Sequence, residues 1–381
     1  MSSVDSKRRV HLVFDKFRGS LTQEEINNIF KEILPTTVEV NEYQIADGGE
    51  GSLDALLTLG WNSIEVVAAD TLGSTKKARV AQHGDQPIYA IELAEICGVK
   101  WLTRGLNPHH STTLGIGQTL EALRKRGAKE ILLFSGGSAS NDGGLGVLQG
   151  LGIRVLDKKN QLVKFGLSGL KHARAINHDD ISRVQKLYSD ITFTMVHDTH
   201  ASLTGKENCI NLFAQQKGLG KLGRYFAEQT FEKWAALLQG INPLFDPHKA
   251  GTGAAGGVTS PFSALFNTKF TNGFDFFSEK TGLVHSISPH DLLFTGEGKF
   301  DRTSRDKKIV MPTIQLAEKH GAECAVVVGS ISESERDFLI NQPSVKKVYV
   351  IADQALSHDE SISRAAEIII ENFANQIKEL L

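Results

Sequence analysis

Residues 131–152 read ILLFSGGSASNDGGLGVLQGLG, from Ile131 to Gly152. An apolar run, Ile131-Leu132-Leu133, leads into Phe134, and Leu145 to Leu151 has the look of a helix. At the junction, Phe134–Gly146 holds five glycines, three serines, an asparagine and an aspartate in thirteen residues. A plain strand-to-helix connection takes about 2–6 residues and needs far less glycine. Strand, loop and helix in this order are the building unit of a parallel α/β sheet. A loop so long and polar is expected to hold a ligand.

The same rhythm opens and closes the chain. Val10–Phe14 reads as a buried strand, and LTQEEINNIFKEIL after it sets Ile26, Ile29, Phe30, Ile33 and Leu34 on one helical face. Thr22 and Glu25 offer a capping box. Val38–Val40 and a helix carrying Leu53, Leu56 and Leu57 follow, the latter stopping at Gly60. Near the end, Leu292–Phe294, Ala325–Val328 and Val348–Ile351 are strand runs, with helices expected at Thr313–His320 and Ser361–Leu381. In between, Ile64–Val67, Ala78–Ala81 and Ile88–Leu93 lie too close together for crossovers and read as hairpins. The expected fold is therefore α/β: a discontinuous Rossmann-like parallel-sheet domain from residues 1–62 and 287–381, and an inserted α/β domain over 63–286. Val10–Phe14 is expected in one sheet with Leu292–Phe294 and Ala325–Val328.

Bulk properties exclude several classes. The chain has 381 residues, a formal net charge of -2, and 40% hydrophobic and 23% charged residues, so nothing favours nucleic acid or an anionic membrane as partner. No apolar run approaches the roughly 18 residues that span a bilayer. Cys97, Cys209 and Cys324 are far apart with no CxxC, which suits a reducing cytoplasm. The oligomeric state stays open between monomer and homodimer.

Four glycine-rich clusters carry the chemistry: ADGGEG (46–51), SGGSASNDGG (135–144), GTGAAGG (251–257) and TGEGKFD (295–301). Glycine lets backbone N–H groups close on an anion, and a following helix adds its positive end. Gly48, Gly49, Gly136, Gly137, Gly256 and Gly257 are thus candidate phosphate contacts, with Ser138 and Asn141 as side-chain donors. Asp47, Glu50, Asp142, Glu297 and Asp301 stand in the same clusters. Phosphate cradles beside carboxylates suit a phosphorylated ligand with Mg²⁺. Lys16 and Arg18, at the end of the first strand, are placed to pair with a carboxylate or phosphate. Gly218–Gly223 and Gly251–Gly256 match GxGxxG without a preceding strand, and no Walker loop exists, so neither nucleotide fingerprint applies. The exposed-loop pair His109-His110 reads as surface.

Taken in order, these segments resemble the bacterial glycerate kinase family of type I over nearly the whole chain. DKFRGSLT (15–22) is similar to the family's DSFKGSLT, IADGGEGS (45–52) to ADGGEGT, and STTLGIG (111–117) to TSxGTG. SGGSASNDGGLGVLQGLG (135–152) resembles GGSATNDGGxGxxxALG. HDTHASLTG (197–205) with FAQQKG (213–218) resembles CDVxNPLxG with FGPQKG, GTGAAGG resembles GAGAAGG, and TGEGKFDRTS (295–304) resembles TGEGRxDxQT. Asp15, Asp47, Glu50, Ser138, Asn141, Asp142, Asp198, Lys217, Glu297 and Asp301 keep the family's residues. Lys16, Arg18, Ile116, Ala201, Ser202, Ala214, Gln215 and Thr303 depart from them, and DKKIVMP (306–312) is longer than the family's GKxP. The resemblance implies two domains with the active site in the cleft between them. It implies ATP-dependent phosphorylation of D-glycerate, chiefly to 2-phosphoglycerate, with 3-phosphoglycerate as the other product. Lys217 then joins the substrate and phosphate contacts. Asp198 is expected at the substrate hydroxyl, with Asp301 and Glu297 on the metal side. A kinase of another small hydroxy acid, and a weakly catalytic relative that senses nucleotide or acid, fit the same residues.

Overall fold

A computed structural model describes residues 8–17, 19–102, 105–197, 199–305, 309–352 and 357–381. Among them the strands are, in chain order, β1 (Arg9–Phe14), β2 (Glu39–Glu42), β3 (Asn62–Ala69), β4 (Thr75–Gln82), β5 (Ile88–Glu92), β6 (Glu130–Phe134), β7 (Val155–Leu156), β8 (Ala175–Ile176), β9 (Thr192–His197), β10 (Thr268–Asn272), β11 (Leu292–Phe300), β12 (Glu323–Ile331) and β13 (Val345–Val350). They fall into two compact units, Met1–Asp47 with Gly273–Leu381, and Gly48–Asn272.

The first unit holds a sheet ordered β13-β12-β11-β1-β2. Every pair in it is parallel. Read from the other edge this is the doubly wound order 2-1-3-4-5, which reverses direction between β1 and β11. Val10 pairs with Leu292 and Phe14 with Gly296, as the two strand-helix ends of the sequence led one to expect. The helix Gln23–Ile33 has its Thr22/Glu25 capping box, and it buries Ile26, Ile29, Phe30 and Ile33. Phe30 lies 4.8 Å from Phe14 and 4.9 Å from Phe294, centroid to centroid. At the opposite strand ends, buried His11 bonds both Asp291 and Tyr43 at 3.0 Å, and Arg9 reaches Asp291 at 2.9 Å.

The second unit is built on a sheet ordered β10-β9-β6-β5-β4-β3. Strands β3, β4 and β5 form the expected antiparallel meander, and β5, β6, β9 and β10 run parallel. The sequence set the domain junctions at 62/63 and 286/287, whereas the compact units divide at 47/48 and 272/273. At the first of these junctions Glu92, at the end of β5, accepts from the Gly51 and Leu53 N–H groups at 3.1 and 2.9 Å. That draws the helix Ser52–Thr58 into the second unit.

Two expectations need correction, and one helix was not foreseen. TGEGKFD is not a loop after a strand: β11 continues through it to Phe300, because Gly296 leaves room for β12. A Cβ on Gly296 would lie 1.9 Å from the Val327 carbonyl oxygen. Ser361–Leu381 is not one helix but a broken series, His358–Ser363, Ala365–Ile368 and onward to Leu380. The longest helix, Lys221–Ile241, had no counterpart in the sequence reading.

Phe30→Ala is expected to cost about 3–5 kcal/mol, the usual loss for an aromatic truncated in a well-packed core. Denaturant unfolding of the variant beside wild type measures it.

Candidate active site

The β1/β11 reversal is where an open parallel sheet places its ligand crevice, outside the carboxyl ends of the strands. A cavity of ≈ 350 Å³ opens there, wholly within the first unit. Asp15, Lys16, Asp47, Glu297 and Asp301 line one part of it. The chain builds this end step by step. The Asp15 N–H extends the ladder to the Gly296 carbonyl at 2.9 Å, and the Asp15 carboxylate takes the Lys16 N–H at 2.8 Å. Gln23, on the first helix, donates to the carbonyls of Phe14 and Ile45 and so ties the end of β1 to the segment leading into Asp47. Glu297 is 5% exposed and Asp47 8%. Asp301 closes β11, and its N–H meets Ser304 Oγ at 3.2 Å.

Burial pushes the Asp15 carboxyl up to about 7, and the charges of Asp47 and then Glu297 push it the same way, against the Lys16 N–H bond. Like-charged carboxylates in one place favour a proton or a cation. Among the described residues no three His, Cys, Asp or Glu side chains stand close enough to ligate an ion as they are. Asp15 was recognised in the sequence only as a retained motif residue. Its signal was its position directly after a buried strand, next to Lys16.

In the second unit, two glycine clusters lock together. The Gly136 N–H donates to the Gly48 carbonyl at 3.2 Å, and a Cβ on Gly136 would lie 2.3 Å from the Gly49 Cα. Ser52 Oγ closes the turn on the Gly49 carbonyl at 2.7 Å. Glu92 underlies this loop, and burial pushes its carboxyl up to about 7 despite the two N–H bonds it accepts. Glu50 is exposed on the same turn.

The loop over 135–144 is packed, not open. Asp142, fully buried, accepts from Thr113 N–H and Oγ1 and from the N–H groups of Gly144 and Gly146. The protein's own carboxylate thus answers the start of the helix Leu145–Gly150, where the sequence suggested a bound phosphate. Gly143 meets Trp234, whose Nε1–H donates to its carbonyl at 2.8 Å. Gly256 and Gly257 owe their missing side chains to packing. Both are left-handed, with Ser140 O at 2.2 Å and Gly143 Cα at 2.9 Å from where their Cβ atoms would sit. Ala255 precedes them at φ 56, a conformation uncommon without glycine.

Lys217 is the buried cation of this region. Its Nζ donates to Ser138 Oγ at 2.9 Å and to the Ser140 carbonyl at 2.8 Å. Burial pulls its ammonium down to about 8. Beside it, both amide atoms of buried Asn141 and the Ser140 hydroxyl have no hydrogen-bond partner. Such orphans call for an explanation, and a ligand or a shifted loop supplies one. Arg18 and Asp198 lie outside the described residues, as do Lys307 and the side chain of Thr303. His197, the last residue of β9, is buried, while His109 and His110 are exposed.

The fold is α/β with its crevice at the reversal of a parallel sheet, and the family that the chain matches makes it a phosphotransferase with an alcohol group as acceptor. The chain belongs to the glycerate kinase family, whose model it matches over residues 10–381. It is 27% identical to an uncharacterised protein of Synechocystis sp., covering 97% of this chain and 99% of the relative. It is 25% identical to a glycerate 2-kinase of Escherichia coli, covering 93% of each. A crystal structure of a candidate glycerate kinase 2 from Salmonella typhimurium LT2 shares the fold, with a TM-score of 0.78, 24% identity and 98% coverage of both chains. No helix among the described residues is long and apolar enough to cross a membrane.

Two measurements test the site's construction. Gly136→Ala forces backbone against backbone and is expected to cost about 1–3 kcal/mol. The control Gly240→Ala, in open space on the long helix, is expected to gain up to about 1 kcal/mol. The second uses pH. Asp15 stays protonated in the folded chain up to about pH 7, against about 3.9 unfolded. Its contribution to stability is therefore full below about pH 4 and is lost as pH rises through about 7. Asp15→Asn, neutral throughout, is expected to melt like wild type near pH 4 and above it at pH 8.

Proposed function

We propose that the protein is an ATP-dependent glycerate kinase that converts D-glycerate to 2-phosphoglycerate in the cytoplasm. The observation that carries this reading is the set Asp15, Lys16, Asp47, Glu297 and Asp301 around one crevice, in a chain of this family. The product position follows the Escherichia coli relative, which is named a glycerate 2-kinase. Three free, buried thiols suit a reducing compartment.

Phosphoryl transfer asks for positioning, charge neutralisation and a group to take the hydroxyl proton. In the reaction the 2-hydroxyl oxygen bonds the γ-phosphorus, the bond to the leaving ADP oxygen breaks, and the hydroxyl proton passes to a carboxylate. We assign that acceptor to Asp198. Among the described residues Asp15 suits the same task, since a base with pKa near 7 is well matched to neutral pH. The carboxylates fit a divalent cation, because mutual repulsion at Asp15 is relieved by one. Glu297 and Asp301 would hold Mg²⁺, which when bound neutralises charge on the donor phosphates. Lys16 and Arg18 balance the anionic substrate and the moving phosphoryl group. Gly48, Gly49, Glu50, Gly136 and Gly137 form a rigid edge at which an anion meets backbone. Ser138, Asn141 and Lys217 add donors behind it, and Asp142, Gly256 and Gly257 fix the shape of that loop.

ADP release measured over a panel of small hydroxy acids, with the product read by ³¹P NMR, is expected to favour D-glycerate and to give the 2-phosphate. Asp198→Asn and Asp301→Asn are expected to lower kcat on the order of a hundredfold or more with melting unchanged. Absence of turnover on glycerate, or wild-type turnover in both variants, overturns the assignment.

A further inference from the structure

The crevice in the first unit has a second chemistry. Besides the carboxylates it is walled by Phe17, Ile351, Ile362 and Ala365, with Ser330 and Ser361 among them. Phe17 and Ala365 are 2% exposed and Ile351 is 3%, so these are rigid core side chains presenting one face to a hollow. Ile362, on the helix His358–Ser363, is partly exposed. The Ser20 hydroxyl, donating to its carbonyl at 2.9 Å, holds that helix to the loop after β1. Small residues keep the hollow open. Gly329 cannot be larger, because its Cβ would lie 2.1 Å from the Gly298 carbonyl oxygen, and Ala352 follows β13 on the same rim.

Resting on the kinase reading above, we propose that this crevice is the nucleotide site, with the base of the phosphoryl donor against Phe17, Ile351, Ile362 and Ala365 and its phosphates toward Glu297 and Asp301. The other candidate, the hydroxy acid, suits it poorly. A three-carbon hydroxy acid has almost no apolar surface to place on four hydrophobic side chains. Its carboxylate would also meet four carboxylates, Asp15, Asp47, Glu297 and Asp301, against the two lysines Lys16 and Lys299 of the same lining. A nucleotide matches both ends. Its heteroaromatic base removes the apolar wall from water, and its phosphates come with a divalent cation, which carboxylates ligate. The volume of ≈ 350 Å³ falls within the roughly 300–1,000 Å³ of sites for drug-sized ligands. The position, at the direction change of a doubly wound sheet, is where that architecture holds nucleotides. The first unit is then the donor unit, without a Walker loop or a GxGxxG turn.

Titration calorimetry of ADP with Mg²⁺ on the whole protein tests this. Ile362→Trp, which fills the hollow, is expected to weaken ADP roughly tenfold or more, about 1.4 kcal/mol or above. Ile362→Ala, a truncation at a partly exposed position, guards against misfolding and is expected to weaken it several-fold. The apparent KM for glycerate is expected to stay within about twofold of wild type in both. In wild type, adenosine alone is expected to compete with ADP. If both variants melt and bind ADP as wild type does, or if tripolyphosphate competes and adenosine does not, the base does not lie here. The binding readout needs no turnover. A wild type that binds ADP and leaves glycerate unphosphorylated therefore overturns the function and leaves this site standing. Turnover of glycerate with unaltered ADP binding in Ile362→Trp overturns the site alone.

Discussion

The pairing of β1 with β11 is the constraint on which the first unit depends. Five residue pairs, Val10 with Leu292 through Phe14 with Gly296, join parts of the chain some 280 residues apart. Closing so long a loop costs entropy that grows only slowly with length. The pairing is backed at one end by the buried Asp291 that binds both Arg9 and His11. At the other it is backed by the ring cluster of Phe14, Phe30 and Phe294. Because this pair is also where the sheet changes direction, the contact that closes the unit is the one that opens the crevice. Asp15 and Glu297 face that crevice because each continues one of the two paired strands.

The carboxylates beneath the glycine turns of the second unit and those of the crevice are held in opposite ways. In the second unit, Asp142 and Glu92 are spent on the backbone N–H groups of neighbouring loops, and each holds a glycine turn in shape. In the first, Asp15 is held by one N–H bond and crowded by two other carboxylates. Buried carboxylates fully supplied with donors stabilise a fold, whereas crowded ones invite a cation or a proton. This contrast supports the division of roles proposed here better than proximity to glycine does.

Much of this was legible beforehand, for reasons that differ by segment. The Thr22/Glu25 cap and the Ile26, Ile29, Phe30, Ile33 face are local patterns, and local patterns survive folding. The parallel ends were legible because buried strands are apolar throughout. Lys221–Ile241 was missed although Ala227, Phe231, Trp234, Ala235 and Leu238 are buried at helical spacing, since its glycines and aromatics obscured the pattern. TGEGKFD was taken for a loop because two glycines imitate a turn; the cause of Gly296, the Val327 carbonyl of β12 at close range, is tertiary. In the same way Asp142 and Gly256 looked like ligand contacts, because glycine beside carboxylate reads alike whether the partner is a phosphate or the protein's own backbone.

The discontinuous first unit also bears on how the chain is made. Residues 48–272 form a unit in which every strand pairs with another of the same stretch, so it is complete on the ribosome before β11 exists. β1, whose residues from Val10 to Phe14 are all buried in the finished protein, leaves with only the short β2 beside it. At roughly 5–20 residues per second it then waits something like a quarter of a minute to a minute for its second partner. For that interval the nascent chain carries an apolar strand with an open edge, a substrate for chaperones and for aggregation alike.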